Sequence, residues 1–204
     1  MPDIDRLVHI VDDDEAIRHS VGFMLRKAGL EVLIYESGTL FLKAAHRNFK
    51  GCVLLDVRMP GLDGLEVQQR LSDAGIALPV IMLTGHGDIP LAVRAIKAGA
   101  VAFLEKPFER SALLEAIEEA FHQAERGHGG ELAEAEAMVR LACLTARERQ
   151  VLGGLVLGRL NKQIAFDLGI ATRTVEVHRS NLMGKLNARS LSAVLKIAFA
   201  AKFG

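Results

Sequence analysis

CVLLDVRMPGLDG, residues 52–64, ends an apolar run at an acid, Asp56, and follows it with a turn carrying Pro60 and Gly61. A run this short, bounded by turn residues, predicts a buried strand rather than a helix. Working outward, similar runs occur at Leu7 to Val11, Val32 to Ile34, Val80 to Leu83 and Val101 to Leu104. Between them lie stretches of helical period, such as Ala16, Val21, Met24, Leu25 and Ala28, or Leu65, Val67, Gln68 and Leu71. Helix starts are expected near Ser37, Asp63 and Asp88 to Pro90, and a fifth helix after Phe108 carries Leu113, Leu114, Ile117 and Phe121. Strand and helix therefore alternate, which implies a parallel sheet covered by helices on both faces.

Parallel strands expose their carboxyl ends on one edge, where ligands of open sheets bind. Four of the five runs stop at a group able to do chemistry: Asp12-Asp13-Asp14, Asp56, Thr84, and Glu105-Lys106-Pro107. Gathered carboxylates repel one another, and a hard divalent cation with oxygen ligands, Mg2+, relieves that repulsion. Lys106 adds positive charge for phosphoryl oxygens and Thr84 adds a hydrogen-bond donor, so Asp56 is placed to act as the nucleophile toward a phosphoryl group. Taken singly, a strand-terminal Asp or Thr is an ordinary helix cap and Lys-Pro an ordinary turn. The four together point to a phosphoryl site.

Gly127-His128-Gly129-Gly130 interrupts the helical pattern, because glycines lose the most conformational entropy in a helix, and it marks a domain boundary. A helical stretch from Glu131 to Ala142 reads as a connector. The rest is helical: Ala146 to Val156, Asn161 to Leu168, Arg173 to Leu186 and Leu191 to Ala200. Two of these meet at Gly169-Ile170-Ala171, with Thr172 placed to cap the second. Ile164, Ala165 and Leu168 on one side and Val175, Val177 and Leu182 on the other supply a small core.

The formal net charge of zero conceals a split. Leu144 to Gly204 carries 10 Lys/Arg against 3 Asp/Glu, and the remainder 15 against 22. An acidic part joined to a basic one implies different partners, with phosphates as one partner for the basic part and a solvated basic face as the plain alternative. Cys52 and Cys143 have no metal or disulfide spacing and read as small core residues. No uncharged apolar run reaches the roughly 18 residues of a membrane span, and MPDIDRLV has acids where a signal peptide has a basic start. A cytoplasmic protein with no membrane partner is expected.

The motifs IVDDDEAIR, LLDVRMPGLDG, MLTGHGD and FLEKPF together resemble the receiver domain of bacterial response regulators over about the first 122 residues. The resemblance implies a flavodoxin-like α/β fold with a five-stranded parallel sheet in the order 2-1-3-4-5. It implies that Asp12, Asp13, Asp56 and the main-chain carbonyl of Arg58 hold Mg2+, and that Asp56 takes a phosphoryl group from a sensor histidine kinase. Thr84 and Lys106 would bind the phosphoryl oxygens, Phe103 would rotate with Thr84, and the Lys106-Pro107 peptide would be cis. Asp14 leaves the register of the acidic pair ambiguous; Asp12 and Asp13 follow the strand directly, and Asp14 is treated as an outer acid.

LTARERQVL, beginning at Leu144, and NKQIAFDLGIATRTVEVH, beginning at Asn161, closely resemble the LuxR/FixJ-type helix-turn-helix over the last 60 or so residues. This implies an all-α DNA-binding domain whose recognition helix, Arg173 to Leu186, enters the major groove. Lys162, Thr172, Arg173, Thr174, Arg179 and Lys185 would position the phosphate backbone, while Glu176, Val177, His178 and Ser180 would face bases. His178 has packing as an alternative role, and Val175 reads as core. The expected layout is a receiver over 1–122, a linker with a helix over 123–142 and a DNA-binding domain over 143–204.

The combination resembles the FixJ subfamily. That implies receiver dimerisation on phosphorylation, with Ile89, Leu91, Val93 and Val101 as surface contacts, and binding to a two-fold promoter site, with RNA polymerase as a further partner. Two rival functions compete with this reading. An aspartate-nucleophile phosphohydrolase needs Asp-x-Asp, and Arg58 stands at the second acid's position. A constitutive DNA-binding protein would use its receiver only as a scaffold, which the intact Asp12, Asp13, Asp56, Thr84 and Lys106 argue against. The expectation is a phosphoacceptor rather than an enzyme, promoting at most its own phosphoryl transfer and dephosphorylation.

Overall fold

The computed structural model describes residues 6–85, 89–126 and 134–203. Gly127 to Gly130, Asp88, and the first residues of the stretch expected from Glu131 lie outside the described residues. The chain divides into two compact units, Met1–His86 with Ala98–Gly130, and Gly87–Lys97 with Glu131–Gly204.

The first unit is built on five parallel strands: β1 (Leu7–Val11), β2 (Glu31–Tyr35), β3 (Cys52–Asp56), β4 (Val80–Thr84) and β5 (Ala102–Glu105). Their order is β2-β1-β3-β4-β5, as the receiver resemblance implied. Helices α1 (Glu15–Lys27), α2 (Gly38–Ala44), α3 (Gly64–Asp73) and α5 (Arg110–Arg126) alternate with them, and α4 (Ile89–Lys97) groups with the second unit. In this grouping α4 falls with the second unit, and α5 continues to Arg126.

Alternation along the strands sorts the core onto two faces. Val8, Ile10, Cys52, Leu54, Ile81 and Leu83 share one buried cluster with Val21 and Leu25 of α1 and Leu113, Ile117 and Phe121 of α5. Val11, Val53, Leu55 and Met82 point to the opposite face and are fully buried, as are Phe41 of α2 and Val67 of α3. Both faces of the central strands are thus covered, which is why the runs carry no polar alternation. Burying each large aliphatic side chain contributes about 1.5–3 kcal/mol.

Val101 is one of these core residues, at 0% exposure, and Val93 of α4 is 5% exposed. The expectation that both lie on a surface is corrected. Val101 enters β5 and packs inward with Ala102, and Val93 lies on the buried face of α4 with Ala92 and Ile96. Ile89 and Leu91 are half-buried.

Local signals account for the helix starts. Ser37 caps α2 by accepting from the Leu40 amide, and Asp63 forms a capping box with Glu66 on α3. Gly64 opens α3 against the strand end: a Cβ there would lie 2.4 Å from the Asp56 carbonyl oxygen, so only glycine lets α3 start this close to Asp56.

The second unit contains α6 (Glu134–Ala142), α7 (Ala146–Val156), α8 (Asn161–Leu168), α9 (Thr172–Lys185) and α10 (Leu191–Ala200). Thr145 and Glu148 form a capping box on α7. Gly169 ends α8 at φ 63°, a left-handed cap that turns the chain into α9. The cap position of α9 is Ala171, with no side-chain cap, so the capping role expected of Thr172 is corrected: Thr172 is the first helical residue. Val151, Leu152, Leu155, Ile164, Val175, Leu182, Val194 and Leu195 form the buried interior of this unit. Val177, expected in that interior, is 51% exposed. Among the described residues no helix is long and apolar enough to cross a membrane.

Candidate phosphoryl site and nucleic-acid interface

β1 delivers Asp12 to the carboxyl edge of the sheet, 1% exposed, and β3 delivers Asp56 beside it, 6% exposed. Both face Lys106, just beyond β5. The Lys106 ammonium donates to Asp12 Oδ2 at 2.7 Å and to Asp56 Oδ1 at shorter range. Asp56 Oδ2 accepts from the Arg58 amide at 2.9 Å, and Asp12 Oδ1 from the Asp14 amide at 2.9 Å.

Main-chain pairing holds these ends in register. Asp56 stands opposite Leu83 and Thr84 opposite Glu105. The Val57 amide donates to the Leu83 carbonyl at 2.9 Å, and the Lys106 amide to the Thr84 carbonyl at 2.8 Å. Thr84 is buried at 3% exposure, its hydroxyl 3.4 Å from the Gly85 carbonyl. Phe103, paired with Met82 across the sheet, is half-buried. The Lys106-Pro107 peptide is cis.

The three consecutive acids have separate places. Asp14 caps α1, accepting from the Ala16 and Ile17 amides at 2.8 and 3.4 Å. The acid expected to lie outside the pair is thus the helix cap. Asp13 is exposed, and only Asp12 turns inward. Asp12 and Asp56 are the two carboxylates that meet at Lys106, with Asp13 the next residue along and exposed, and the described residues hold no cluster of three or more His, Cys, Asp or Glu side chains.

Two buried carboxylates and one ammonium leave the site a net negative charge. Burial raises the Asp56 pKa, with the Asp12 charge adding to it, and together these outweigh the opposing effect of Lys106. Burial works against the Lys106 charge, yet its hydrogen bonds to Asp12 and Asp56 lift its pKa above the ordinary lysine value. An oxygen-rich, charge-deficient site of this kind fits a hard divalent cation.

Both cysteines are free. Cys52 is buried, its thiol pushed up to about 12 by burial and by the Glu118 charge, while Cys143 is exposed rather than in a core.

On α9, Thr172, Arg173, Thr174, Glu176, Val177 and Ser180 are exposed, His178 and Arg179 are half-buried, and Val175 is fully buried as core. The Arg173 side chain is 91% exposed. Lys162 is exposed on α8. Two cations counted toward phosphate are engaged within the unit. Arg179 donates to Asn161 Oδ1 at 2.8 Å, and Lys185 donates to Glu148 Oε2 at 2.8 Å.

Glu148 was not singled out in the sequence beyond its motif, although the Thr145-x-x-Glu148 spacing is a capping signal. It is 3% exposed. The Lys185 hydrogen bond, followed by those from the Thr145 amide and hydroxyl, holds its carboxyl down to about 2.

Comparison with known proteins bears on both parts of the chain. Residues 8–118 match the response regulator receiver domain family, and residues 142–198 match the luxR family of bacterial regulatory proteins. The transcriptional regulatory protein FixJ of Rhizobium meliloti (strain 1021) is 46% identical over 200 residues, covering 98% of each chain. The response regulator protein TodT of Pseudomonas putida is 41% identical over 97% of this chain and 87% of its own. Among solved structures, full-length FixJ from B. japonicum superposes with a TM-score of 0.58 at 44% identity, covering 97% of this chain and 98% of that one.

Proposed function

The chain belongs to the two-component response regulators of the LuxR/FixJ family, and from that membership we propose that Asp56 is its phosphoacceptor and that phosphorylation there governs promoter binding by α9. The observation that supports this most is the convergence of Asp56, Asp12 and Lys106 at one sheet edge.

In this reading an Asp56 carboxylate oxygen attacks the phosphorus of a phosphohistidine on a sensor histidine kinase. The phosphorus–nitrogen bond breaks, the imidazole leaves, and an acyl phosphate forms on Asp56. Asp12, Asp13, Asp56 and the Arg58 carbonyl would hold Mg2+, which when bound neutralises phosphoryl charge. Lys106 exchanges its carboxylate partners for a phosphoryl oxygen, and Thr84 donates its hydroxyl to another. The Lys106 amide's bond to the Thr84 carbonyl keeps these two groups in step. Phe103, half-buried on β5 three residues before Lys106, follows Thr84.

The output is a dimer, with Ile89 and Leu91 as remaining candidates for the dimer face, set over a two-fold promoter site. On α9, Thr172, Arg173 and Thr174, with Lys162 on α8, bind phosphates; Glu176, Val177, His178 and Ser180 face bases. Arg179 and Lys185 support that helix from inside the unit as well as adding positive charge. RNA polymerase is a further partner of the promoter-bound dimer, and the cytoplasm, where DNA and kinase meet, is the compartment. The receiver promotes only its own phosphoryl transfer and loss.

Incubation with a small phosphodonor and Mg2+, followed by peptide mapping of the labelled residue, tests this directly. Label confined to the peptide containing Asp56, and dependent on Mg2+, is the expected result. Label elsewhere, or none, would overturn the assignment.

A further inference from the structure

We propose that Arg18 is a positioning residue for the metal-binding acids, holding the end of β1 so that Asp12 presents its carboxylate to Asp56. The inference rests on the receiver reading above and assigns that site a residue outside its carboxylates, lysine and threonine.

Arg18 lies in the first turn and a half of α1, just beyond its Asp14 cap. Side chains on a helix lean toward its N-terminus, so the guanidinium reaches back over the first turn. There Arg18 Nη1 donates to the main-chain carbonyl of Asp12 at 2.7 Å. The start of a helix is electrostatically unfavourable for a cation, since the helix dipole places partial positive charge there. The hydrogen bond to Asp12 offsets this cost, and Arg18 carries its charge to the main chain of a run of three acids.

Besides the Lys106 bond to its Oδ2, Asp12 is gripped from three sides. Its amide donates to the Tyr35 carbonyl at 3.3 Å, its Oδ1 accepts from the Asp14 amide at 2.9 Å, and its carbonyl accepts from Arg18. The first two use main-chain groups of Tyr35 and Asp14, which no substitution at Arg18 removes. The third depends on one side chain. Arg18 is half-buried and lines an open surface cavity with Glu15, Tyr35 and Glu36, so its loss empties solvent-accessible space rather than the core. Groups that orient a metal ligand without touching the metal typically govern about 10–100-fold of the affinity.

The test uses the full chain with Arg18→Gln and Arg18→Lys, titrated with MgCl2 while the amide resonances of Asp12, Asp13 and Asp56 are followed. Thermal unfolding in EDTA is measured in parallel. Arg18→Gln is expected to weaken Mg2+ binding about tenfold while leaving the unfolding midpoint in EDTA within a few degrees of the unsubstituted protein. Its rate of labelling by a small phosphodonor should recover at saturating MgCl2. Arg18→Lys, which keeps the charge and a donor, should restore part of the affinity.

Unchanged Mg2+ affinity in Arg18→Gln overturns the proposal. So does a loss of affinity that tracks an equal loss of fold in EDTA, or a labelling rate that stays low at saturating MgCl2. If the unsubstituted protein shows no MgCl2 shifts at Asp12 and Asp56, it is the receiver reading itself that fails.

Discussion

The Lys106 ammonium, 2.7 Å from Asp12 Oδ2, joins residues 94 positions apart and closes the carboxyl edge of the sheet over Asp56. The contact places one cation between two buried acids, so neither acid is fully neutralised. Asp12→Asn removes one of the two and leaves the other with Lys106. Phosphodonor labelling of Asp56 is expected to need a higher MgCl2 concentration and, below saturation, to slow by about tenfold or more. A labelling rate measured against MgCl2 checks this, and identical curves would remove Asp12 from the site.

The Glu148 to Lys185 pair ties the start of α7 to the end of α9. Lys185→Met leaves the Glu148 carboxylate with only its Thr145 donors. A stability loss of about 1–2 kcal/mol is expected, kept below that of a deeply buried pair by solvent at the 39% exposed lysine. The sign with pH is definite. Glu148 has its folded pKa depressed to about 2 from 4.5, so its contribution is present above pH 4.5 and is lost as the pH falls toward 2. Urea unfolding of Glu148→Gln across that window should show a shallower decline than the unsubstituted chain, and parallel declines would contradict the pairing.

His9, fully buried on β1, stacks on Phe49 with ring centroids 4.2 Å apart. Its Nε2 donates to the Lys50 carbonyl at 3.0 Å, leaving Nδ1 to accept from the Tyr35 hydroxyl at 3.3 Å. Burial lowers its pKa, with the Lys50 carbonyl acting in the opposite sense. The unfolded chain therefore binds this proton more readily than the folded one. Stability is full above the unfolded value of 6.5 and declines as the pH falls below it. Denaturation at a series of pH values should find that slope in the unsubstituted protein and a flatter one in His9→Phe.

Arg173 projects 91% exposed from the first turn of α9, with Glu176 no nearer than 4.0 Å. Arg173→Ala should weaken binding to all DNA sequences and lower the slope of log affinity against log salt by about one. Fold and thermal midpoint should not change. A fall in affinity for one sequence alone would mark Arg173 as a base-reading residue instead.

The strands and their chemical ends were legible because each buried strand is a short apolar run that stops at a polar residue. Asp56, Thr84 and Lys106 needed no three-dimensional information to be singled out. The role of Asp14 was hidden because a cap and a metal ligand are both an Asp after a strand. Val101 was misplaced because an apolar residue leading into a strand reads the same in sequence whether it packs into the core or onto a partner; it is 0% exposed. Thr172 resembles a cap in composition, yet the cap position falls one residue earlier, at Ala171. Lys185 could not be seen as a partner of Glu148, nor Arg18 as a partner of Asp12, because a side chain's reach across a fold leaves no periodic trace.

The central claim is that chemistry at Asp56 controls DNA binding, and affinity for promoter DNA with and without a small phosphodonor, in the unsubstituted chain and in Asp56→Asn, tests it most directly. The donor with Mg2+ should tighten binding and favour the dimer in the former and change nothing in the latter. An equal response in Asp56→Asn, or none in the unsubstituted chain once labelled, would contradict the account.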